Sequence, residues 1–355
     1  MIGWFRRLVV APAVIALTVV VLSTIPLWLL LAAVLSPVVP GRLRPLRILS
    51  LLLMHLILES VMLVELFGLW IASGFGYFIR RPFFERIHYD IVQTYLIIFF
   101  REARRVVRLK ILTEGTPPDA HPGEPLLVCC RHAGPADSFT LMYALMHWYG
   151  REPRVVLKDT LAWDPAIDVI LNRLPNRFIS PKGGDDLERQ VGELASNLDE
   201  NDAFVIFPEG GNFTPERRQR AIDKLRRLGL EAMARRAERM ENVLAPRPGG
   251  LLAALDAAPD ADVVLVAHTG LDHLLAIRDV WRELPMDKQI IMRWWRVSRE
   301  EIPQGREERI DWLYSWWELI DAWIEEHRPV DLPPRRWRRQ VPVEQDAGGG
   351  PTSSS

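Results

Sequence analysis

The chain has 355 residues, of which 49% are hydrophobic, and its 44 basic and 45 acidic residues give a net charge of −1. This composition excludes collagen-like, disulfide-scaffold and wholly disordered proteins, and the near-zero charge offers no global field for holding nucleic acid. The two cysteines, Cys129 and Cys130, are neighbours in an apolar run, so their spacing indicates neither a structural disulfide nor a zinc site.

Two long apolar runs open the chain. Residues 8–40 contain no charged side chain, and residues 48–79 contain only Glu59 and Glu65. The first run is too long for a signal-peptide core and a second run follows it, so residues 1–79 are predicted to be a retained membrane anchor. Pro26 leaves two arrangements open, a single tilted span or two short arms that dip in and return on the same side.

Two polar side chains interrupt the second run. His55 and Glu59 are four residues apart and therefore lie on one face of a helix. They either form a polar spot for lipid head groups or pack against the first run or the soluble domain.

From residue 80 the composition becomes that of a soluble α/β domain. An aromatic and basic stretch, residues 83–110, is predicted to lie along the membrane surface. Short apolar runs then alternate with helical patterns, which predicts a mostly parallel sheet flanked by helices, preceded by N-terminal membrane-embedded helices. The predicted strands are 106–112, 125–131, 154–158, 203–207 and 261–267, and the predicted helices are 137–148, 166–174, 185–198, 215–239 and 250–257. Residues 331–355 are predicted to be a basic and then disordered tail.

A histidine and an aspartate follow the second predicted strand. His132 and Asp137 are separated by four residues that include Gly134 and Pro135. Loop side chains converge on ligands at the carboxyl ends of parallel strands. Asp137 can fold back to accept a hydrogen bond from one imidazole nitrogen, which leaves the other nitrogen as a base. The alternative is that Asp137 only begins its helix.

A second polar loop follows the predicted strand 203–207. Glu209, Gly210, Gly211 and Asn212 precede a long predicted helix. Glycines allow a ligand to approach the backbone, and a helix start favours an anion. An ordinary helix start explains the cap at Thr214 but not a glutamate in a position that the pattern predicts to be buried.

Together the two loops resemble the first and third motifs of the glycerolipid acyltransferase family, which includes enzymes that acylate 1-acylglycerol-3-phosphate. The family pattern is a His, four residues and an Asp, followed later by Phe-Pro-Glu-Gly. This sequence has His132 and Asp137, and then Phe207, Pro208, Glu209 and Gly210. The resemblance covers about residues 105–270, and residues 80–330 are therefore assigned to an acyltransferase domain.

The sequence departs from the family pattern at the expected phosphate site. Gly211 and Asn212 stand where the family usually has Thr-Arg, so the arginine expected to hold the acceptor phosphate is missing. The family's second motif, a Phe-Ile pair followed by Arg, is represented here with its cation supplied by Lys182 or Arg177. The predicted substrate-binding residues are accordingly Arg177, Lys182, Glu209, Gly210, Gly211 and Asn212.

The resemblance implies acyl transfer without a covalent enzyme intermediate. His132 would be the general base and Asp137 would orient it; no metal and no cofactor is expected, and acyl-CoA is a co-substrate.

The expected partners are acyl-CoA or acyl carrier protein, a lysophospholipid acceptor and membrane lipids, but no nucleic acid. The expected location is the cell membrane with the catalytic domain facing the cytosol. Two alternatives stay open: a catalytically inactive lipid-binding membrane protein, and an acyltransferase of a non-phospholipid such as a lipoglycan.

Overall fold

The computed structural model of the chain describes residues 2–39, 41, 43–115, 123–134, 137–158, 163–179, 184–270, 272, 281 and 289–328. These residues form N-terminal apolar helices and a seven-stranded sheet with helices on both faces. The predicted α/β architecture, a mostly parallel sheet flanked by helices, is confirmed. The predicted tail at residues 331–355 lies outside the described residues.

The N-terminal region contains helices α1 (Gly3–Ser23), α2 (Ile25–Leu35) and α3 (Arg44–Ala72). By length and composition, α1 and α3 could each cross a membrane. The first apolar run is interrupted at Thr24, and Pro26 lies in the first turn of α2, where its missing N–H costs no helical hydrogen bond. The hydroxyl of Thr18 donates to the Leu56 carbonyl at 3.2 Å, so α1 packs along α3.

Helix α4 (Pro82–Val107) connects this region to the sheet. It starts with a proline and ends at Arg108, which adopts φ 63° in the left-handed region. The first strand therefore begins at Lys110 and not at residue 106, as the sequence pattern predicts. The physical reason is the helical spacing of Ala103 and Val107, which form one buried cluster with Leu51 of α3 packed against it.

The sheet has one reversed edge. Its strands are β1 (Lys110–Gly115), β2 (Leu126–Cys130), β3 (Glu152–Lys158), β4 (Arg177–Ile179), β5 (Asp202–Ile206), β6 (Asp262–Thr269) and β7 (Gln289–Val297). Their order is β1-β7-β6-β2-β5-β3-β4, and only the β6–β7 pair among these described strands is antiparallel. The sequence pattern misses β4, which is too short to show a period, and β7, in which buried residues alternate with partly exposed ones.

The remaining helices cover the two faces of the sheet. They are α5 (Asp137–Tyr143, continued by a π-helical turn, Ala144–Trp148), α6 (Pro165–Leu171), α7 (Gly184–Ala195), α8 (Pro215–Arg227), α9 (Glu231–Arg239), α10 (Pro248–Ala257) and α11 (Arg306–His327). The predicted single helix 215–239 is in fact α8 and α9. Gly229 adopts φ 73° between them, and the Leu230 amide donates to the Leu225 carbonyl at 3.0 Å, which terminates α8.

The apolar N-terminal helices pack on one side only. Helices α7 to α11 cover one face, where Leu127 of β2 packs with Trp317 of α11. On the other face, Val128 packs with Leu141 of α5. Helices α4 and α6 lie beyond α5, and α3 and α1 extend that layer outward. Because β2 is central and its neighbours β5 and β6 run parallel to it, the loops that follow these three strands meet at one edge of the sheet.

Candidate functional site

His132 lies two residues beyond β2, at the carboxyl edge of the sheet. Its side chain is 14% exposed. The ring packs against Phe207, the first residue after β5, with ring centroids 4.6 Å apart. The His132 carbonyl accepts a hydrogen bond from the Phe213 amide at 2.7 Å. The loops after β2 and β5 therefore hold the imidazole between them.

Asp137 is the first residue of α5 and closes the loop that carries His132. Its Oδ2 accepts hydrogen bonds from the amides of Ala133 at 2.5 Å and Gly134 at 2.6 Å, and it lies 3.4 Å from His132 Nδ1. Asp137 therefore both starts the helix and contacts the histidine. Burial raises the pKa of Asp137, but the His268 ring and the hydrogen bonds from His132 and Gly134 outweigh it and lower the pKa overall, so the carboxylate is ionised.

A second imidazole faces the same carboxylate. His268 of β6 is 7% exposed, and its Nε2 lies 3.6 Å from Asp137 Oδ2. Among the described residues this nitrogen is buried and has no hydrogen-bond partner. Burial lowers the pKa of His268, although Asp137 opposes the shift. His268 thus lies beside Asp137, and its position directly after the predicted strand 261–267 is the signal in the sequence that points to it.

Glu209 is buried as predicted, with 1% of the residue exposed. Its Oε1 accepts from the His132 amide and its Oε2 accepts from the Leu244 amide, both at 3.0 Å. Burial raises the pKa of Glu209 to about 7, although the charge of Arg131 and the two amide donors oppose the shift. Each oxygen of Glu209 therefore accepts from a backbone amide, and Glu209 connects its own loop after β5 to the loop after β2 and to the segment that carries Leu244. Its predicted contact with substrate stays a prediction.

The glycine-rich loop after β5 approaches a cation from the Pro-Arg-rich stretch at residues 245–250. Gly210 adopts φ 67°, and a Cβ at this position would lie 3.0 Å from the Arg247 guanidinium. The Arg247 amide donates to the Pro208 carbonyl at 2.8 Å, which fixes the two segments together. The carbonyl of Asn212 accepts from the Arg217 guanidinium at 3.0 Å. The φ angle favours glycine at position 210, and the absence of a side chain there leaves room for the Arg247 guanidinium beside the backbone.

Behind the histidine loop lies a buried guanidinium. Arg131 donates to the His268 carbonyl at 2.6 Å and to the Asn242 carbonyl at 3.1 Å, and it pairs with Asp272. Burial raises the pKa of Asp272, but the Arg131 charge more than offsets this and holds the pKa well below its usual range. Arg131 therefore joins the end of β6 to the segment that carries Leu244. No local pattern distinguishes this arginine from an exposed one.

The two cations predicted for the second family motif are placed differently. Arg177 begins β4, which is separated from β2 by β5 and β3. Three strand spacings correspond to about 14 Å, so Arg177 is not brought next to His132 at the level of the backbone. Lys182 lies outside the described residues.

The adjacent cysteines lie on opposite faces of β2. Cys129 packs in the core beneath α7 to α11, and Cys130 packs beneath α5. Both are buried, and burial raises the pKa of Cys129 to about 12. A thiol of this kind is not a nucleophile at neutral pH, so the cysteines are structural.

Within the described residues, His55, Glu59 and Asp164 could supply three ligand atoms to a metal, because these atoms all lie within 4.8 Å of one another. Glu59 accepts from the Ala166 amide at 3.0 Å, and Asp164 accepts from the Ile167 amide at 2.9 Å. The start of α6 therefore accounts for both carboxylates. Of the two arrangements that the sequence left open for His55 and Glu59, the structure shows Glu59 packed against the α/β domain.

Comparison with known proteins finds two similarities that include these loops. Residues 112–266 match a protein-family model described as Acyltransferase. The chain is also similar to a crystal structure of the 1-acyl-sn-glycerophosphate (LPA) acyltransferase, PlsC, from Thermotoga maritima. The two sequences are 16% identical, the TM-score is 0.47, and the match covers 79% of this chain and 97% of that chain. No curated protein matches the chain.

Proposed function

Because the chain carries an acyltransferase-family domain over residues 112–266, we propose that it is a membrane-bound glycerolipid O-acyltransferase. It transfers a fatty acyl group from acyl-CoA to the hydroxyl of a lysophospholipid. One observation carries the proposal: within the matched region, His132, Asp137 and Glu209 form one hydrogen-bonded cluster at the carboxyl edge of the sheet.

His132 acts as the general base. Asp137 Oδ2 lies next to Nδ1, so Nε2 is the ring nitrogen without a hydrogen-bond partner among the described residues. Nε2 takes the proton from the acceptor hydroxyl while the hydroxyl oxygen bonds to the thioester carbonyl carbon. The carbon–sulfur bond then breaks, and the thiolate leaves with the electron pair and takes the proton from the imidazolium to give CoA. Such base catalysis contributes typically about 10²–10⁴-fold to the rate.

Glu209 positions the base and does not exchange a proton with substrate. It fixes the His132 amide through Oε1 and the Leu244 amide through Oε2. Asp137 in turn fixes the Ala133 and Gly134 amides. The loop therefore has its conformation before substrate arrives, which lowers the entropic cost of alignment.

The acceptor phosphate binds beside Gly210. The arginine that the family usually places after this loop is absent, but Arg247 brings an exposed guanidinium to the same place from another segment. In the described part of the chain, this guanidinium forms no ion pair. A phosphate four bonds from the attacked hydroxyl lies only about 5 Å from it, so its cation must lie close to the base. Arg247 contacts the loop after β5, and Phe207 of that loop packs against the His132 ring.

The membrane helices lie along the domain and do not cross the bilayer. Arg47 of α3 donates to the Val106 carbonyl, Glu59 accepts from Ala166, and the Leu66 carbonyl accepts from Arg173 at 2.8 Å. From Arg47 to Leu66, α3 rises about 28 Å, nearly the full thickness of the hydrocarbon core of about 30 Å. If α3 spanned the membrane, the exposed charged side chains of α4, which packs along it, would lie in lipid. We therefore expect a monotopic protein with its catalytic domain on the cytosolic side, where acyl-CoA is found.

Cysteine labelling tests the membrane arrangement. Arg44→Cys in a Cys129→Ser/Cys130→Ser background is exposed to a membrane-impermeant thiol reagent in intact cells and after lysis. The monotopic arrangement predicts labelling only after lysis. Labelling in intact cells would place the segment between α2 and α3 outside and would support two spans.

The activity itself is tested with the purified full-length protein in phospholipid vesicles. Acyl-CoA is supplied with lysophosphatidic acid, lysophosphatidylcholine, a monoacylglycerol or a lipoglycan, and both CoA release and the acylated product are measured. We expect acceptor-dependent transfer to a lysophospholipid. Transfer only to phosphate-free acceptors would support the lipoglycan alternative, and no transfer to any of them would leave the inactive lipid-binding alternative.

A further inference from the structure

A cationic cavity lies apart from the histidine loop, where α4 ends and β1 begins. Its volume is about 580 Å³. The residues that line it are Arg104, Arg108, Leu109, Lys110, Ile111, Leu112 and Gln289. This lining includes three cations and no carboxylate. In the described part of the chain, neither Arg104 nor Lys110 forms an ion pair, so the cavity has positive charge available for an anion.

Strand register places this cavity at the same edge of the sheet as His132. Cys130 of β2 pairs with Val266 of β6, which pairs with Trp294 of β7. Trp294 in turn pairs with Gly115 of β1. His132 is two residues beyond Cys130, whereas Lys110 is five residues from Gly115 in the same direction because β1 is reversed. Lys110 therefore projects further beyond the edge than His132 does.

The register also gives the separation. The backbones of His132 and Lys110 are three strands apart across the sheet and about three residues apart along the strand direction. With about 4.8 Å between strands and about 3.3 Å per residue, they are separated by about 17 Å.

This separation distinguishes between the phosphates of the two substrates. In acyl-CoA, about thirteen bonds connect the thioester sulfur to the first phosphorus, and an extended chain of that length spans about 15 Å. The phosphate of a lysophospholipid, by contrast, is only about 5 Å from the attacked hydroxyl. A cavity at about 17 Å can take a phosphate of the donor but not of the acceptor.

We infer that this cavity binds the phosphorylated adenosine end of CoA, with Arg104 and Lys110 contacting its phosphates. The inference rests on the proposed function, because it takes acyl-CoA as the donor. An acyl carrier protein carries the same arm and first phosphate but no nucleotide, so only contacts beyond that phosphate distinguish CoA from it. The sheet edge then has Arg247 near the histidine loop for the acceptor and the cavity beyond β7 for the donor.

Donor truncation tests the inference on the full-length protein in vesicles. Kinetics are measured with a long-chain acyl-CoA and with the corresponding acyl-pantetheine, for wild type and for Arg104→Ala/Lys110→Ala. Charge-assisted contacts of this kind predict a rise of roughly 10–100-fold in the KM for acyl-CoA, with kcat within about twofold of wild type. The KM for acyl-pantetheine should not change, and inhibition by adenosine 3′,5′-bisphosphate should weaken in parallel.

Arg227→Ala is the matched control, because Arg227 is an exposed arginine in the last turn of α8, on the opposite face of the sheet. It should behave as wild type with both donors. Equal KM values for acyl-CoA in wild type and in the double variant would overturn the inference while the acyl transfer itself stands. So would a wild type that uses acyl-pantetheine as well as acyl-CoA.

Direct binding of CoA, measured calorimetrically without acceptor, separates this inference from the proposed function. Binding by wild type that is weakened in the double variant supports the nucleotide site even if no acceptor is acylated. If wild type neither binds CoA nor transfers an acyl group from it, the proposed donor and the cavity's assignment both fail.

Discussion

Two polar regions of the molecule bury charge in different ways. At the sheet edge, amides and Phe207 hold His132, but its side chain is still 14% exposed and one ring nitrogen has no partner among the described residues. Beneath the apolar helices, Asp168 is 0% exposed and both of its oxygens accept from arginines, Arg6 at 2.7 Å and Arg7 at 2.9 Å. Asp168 uses both of its oxygens in ion pairs and therefore serves to connect parts of the fold. His132 is fixed in place but keeps one ring nitrogen without a partner among the described residues, and this nitrogen can accept a proton.

The largest effect is expected at His132. His132→Ala should reduce acyl transfer by at least roughly 10²–10⁴-fold, because it removes the base, while membrane binding and the melting temperature stay near wild type. Asp137→Asn should keep some activity, since the base remains. The assay is CoA release in the presence of acceptor. His147→Ala, an exposed histidine in the segment that continues α5, is the matched control. A folded His132→Ala protein with the wild-type rate would contradict the mechanism.

Asp168→Asn tests the buried ion pairs beneath the apolar helices. Two arginines lose their buried counter-charge, so the free energy of unfolding should fall by about 3 kcal/mol, and the melting temperature in detergent should fall by several degrees. The control is Asp256→Asn. Asp256 also contacts an arginine, Arg309 at 2.6 Å, but it is 70% exposed, and its loss should cost less than about 1 kcal/mol. Equal shifts for both variants would show that burial does not separate the two classes of ion pair.

The next largest effect is expected at Arg247, the proposed contact of the acceptor phosphate. A charge-assisted contact is worth about 1.5–3 kcal/mol, so Arg247→Ala should raise the KM for a lysophospholipid by roughly 10–150-fold and spare the KM for acyl-CoA. A monoacylglycerol acceptor, which has no phosphate, should be unaffected. Arg177→Ala and Lys182→Ala test the two positions predicted from the sequence in the same assay. A larger effect at either of them than at Arg247 would place the acceptor phosphate on the β4 side of the site.

The smallest effect expected is a pH dependence at Glu209. Burial raises its pKa to about 7 from an ordinary value of 4.5, so the folded state binds the proton more tightly than the unfolded state. This contribution to stability is lost as the pH rises from about 4.5 to about 7, and it amounts to on the order of 1–3 kcal/mol. Thermal melts between pH 4.5 and 8 should show this decline in wild type and a flatter curve in Glu209→Gln. Glu216→Gln, exposed at the start of α8, should follow wild type. Parallel wild-type and Glu209→Gln curves would contradict the shift.

Much of the site could be predicted from the sequence because its first elements are local. His132 and Asp137 are joined by one turn, and Phe207 to Gly210 follow a strand directly, so strand patterns alone place both loops at the carboxyl edge. The burial of Glu209 was predicted in the same way. The apolar runs likewise determine that residues 1–79 contain helices that could enter a membrane.

The tertiary structure decided the rest, because the partners are distant in sequence. Glu209 accepts from the Leu244 amide, and Gly210 lies beside Arg247. Asp137 lies near His268 because β6 pairs with β2. The periodicity of a single strand does not specify which strands become its neighbours. It also does not specify that β1 and β7 run antiparallel to the other strands, which places Lys110 at the same edge of the sheet as His132. Hydropathy identifies α3 as apolar. Only the tertiary structure shows that α3 contacts the α/β domain from Arg47 to Leu66. The reason is that docking of a helix on a domain depends on three-dimensional contacts and not on periodicity.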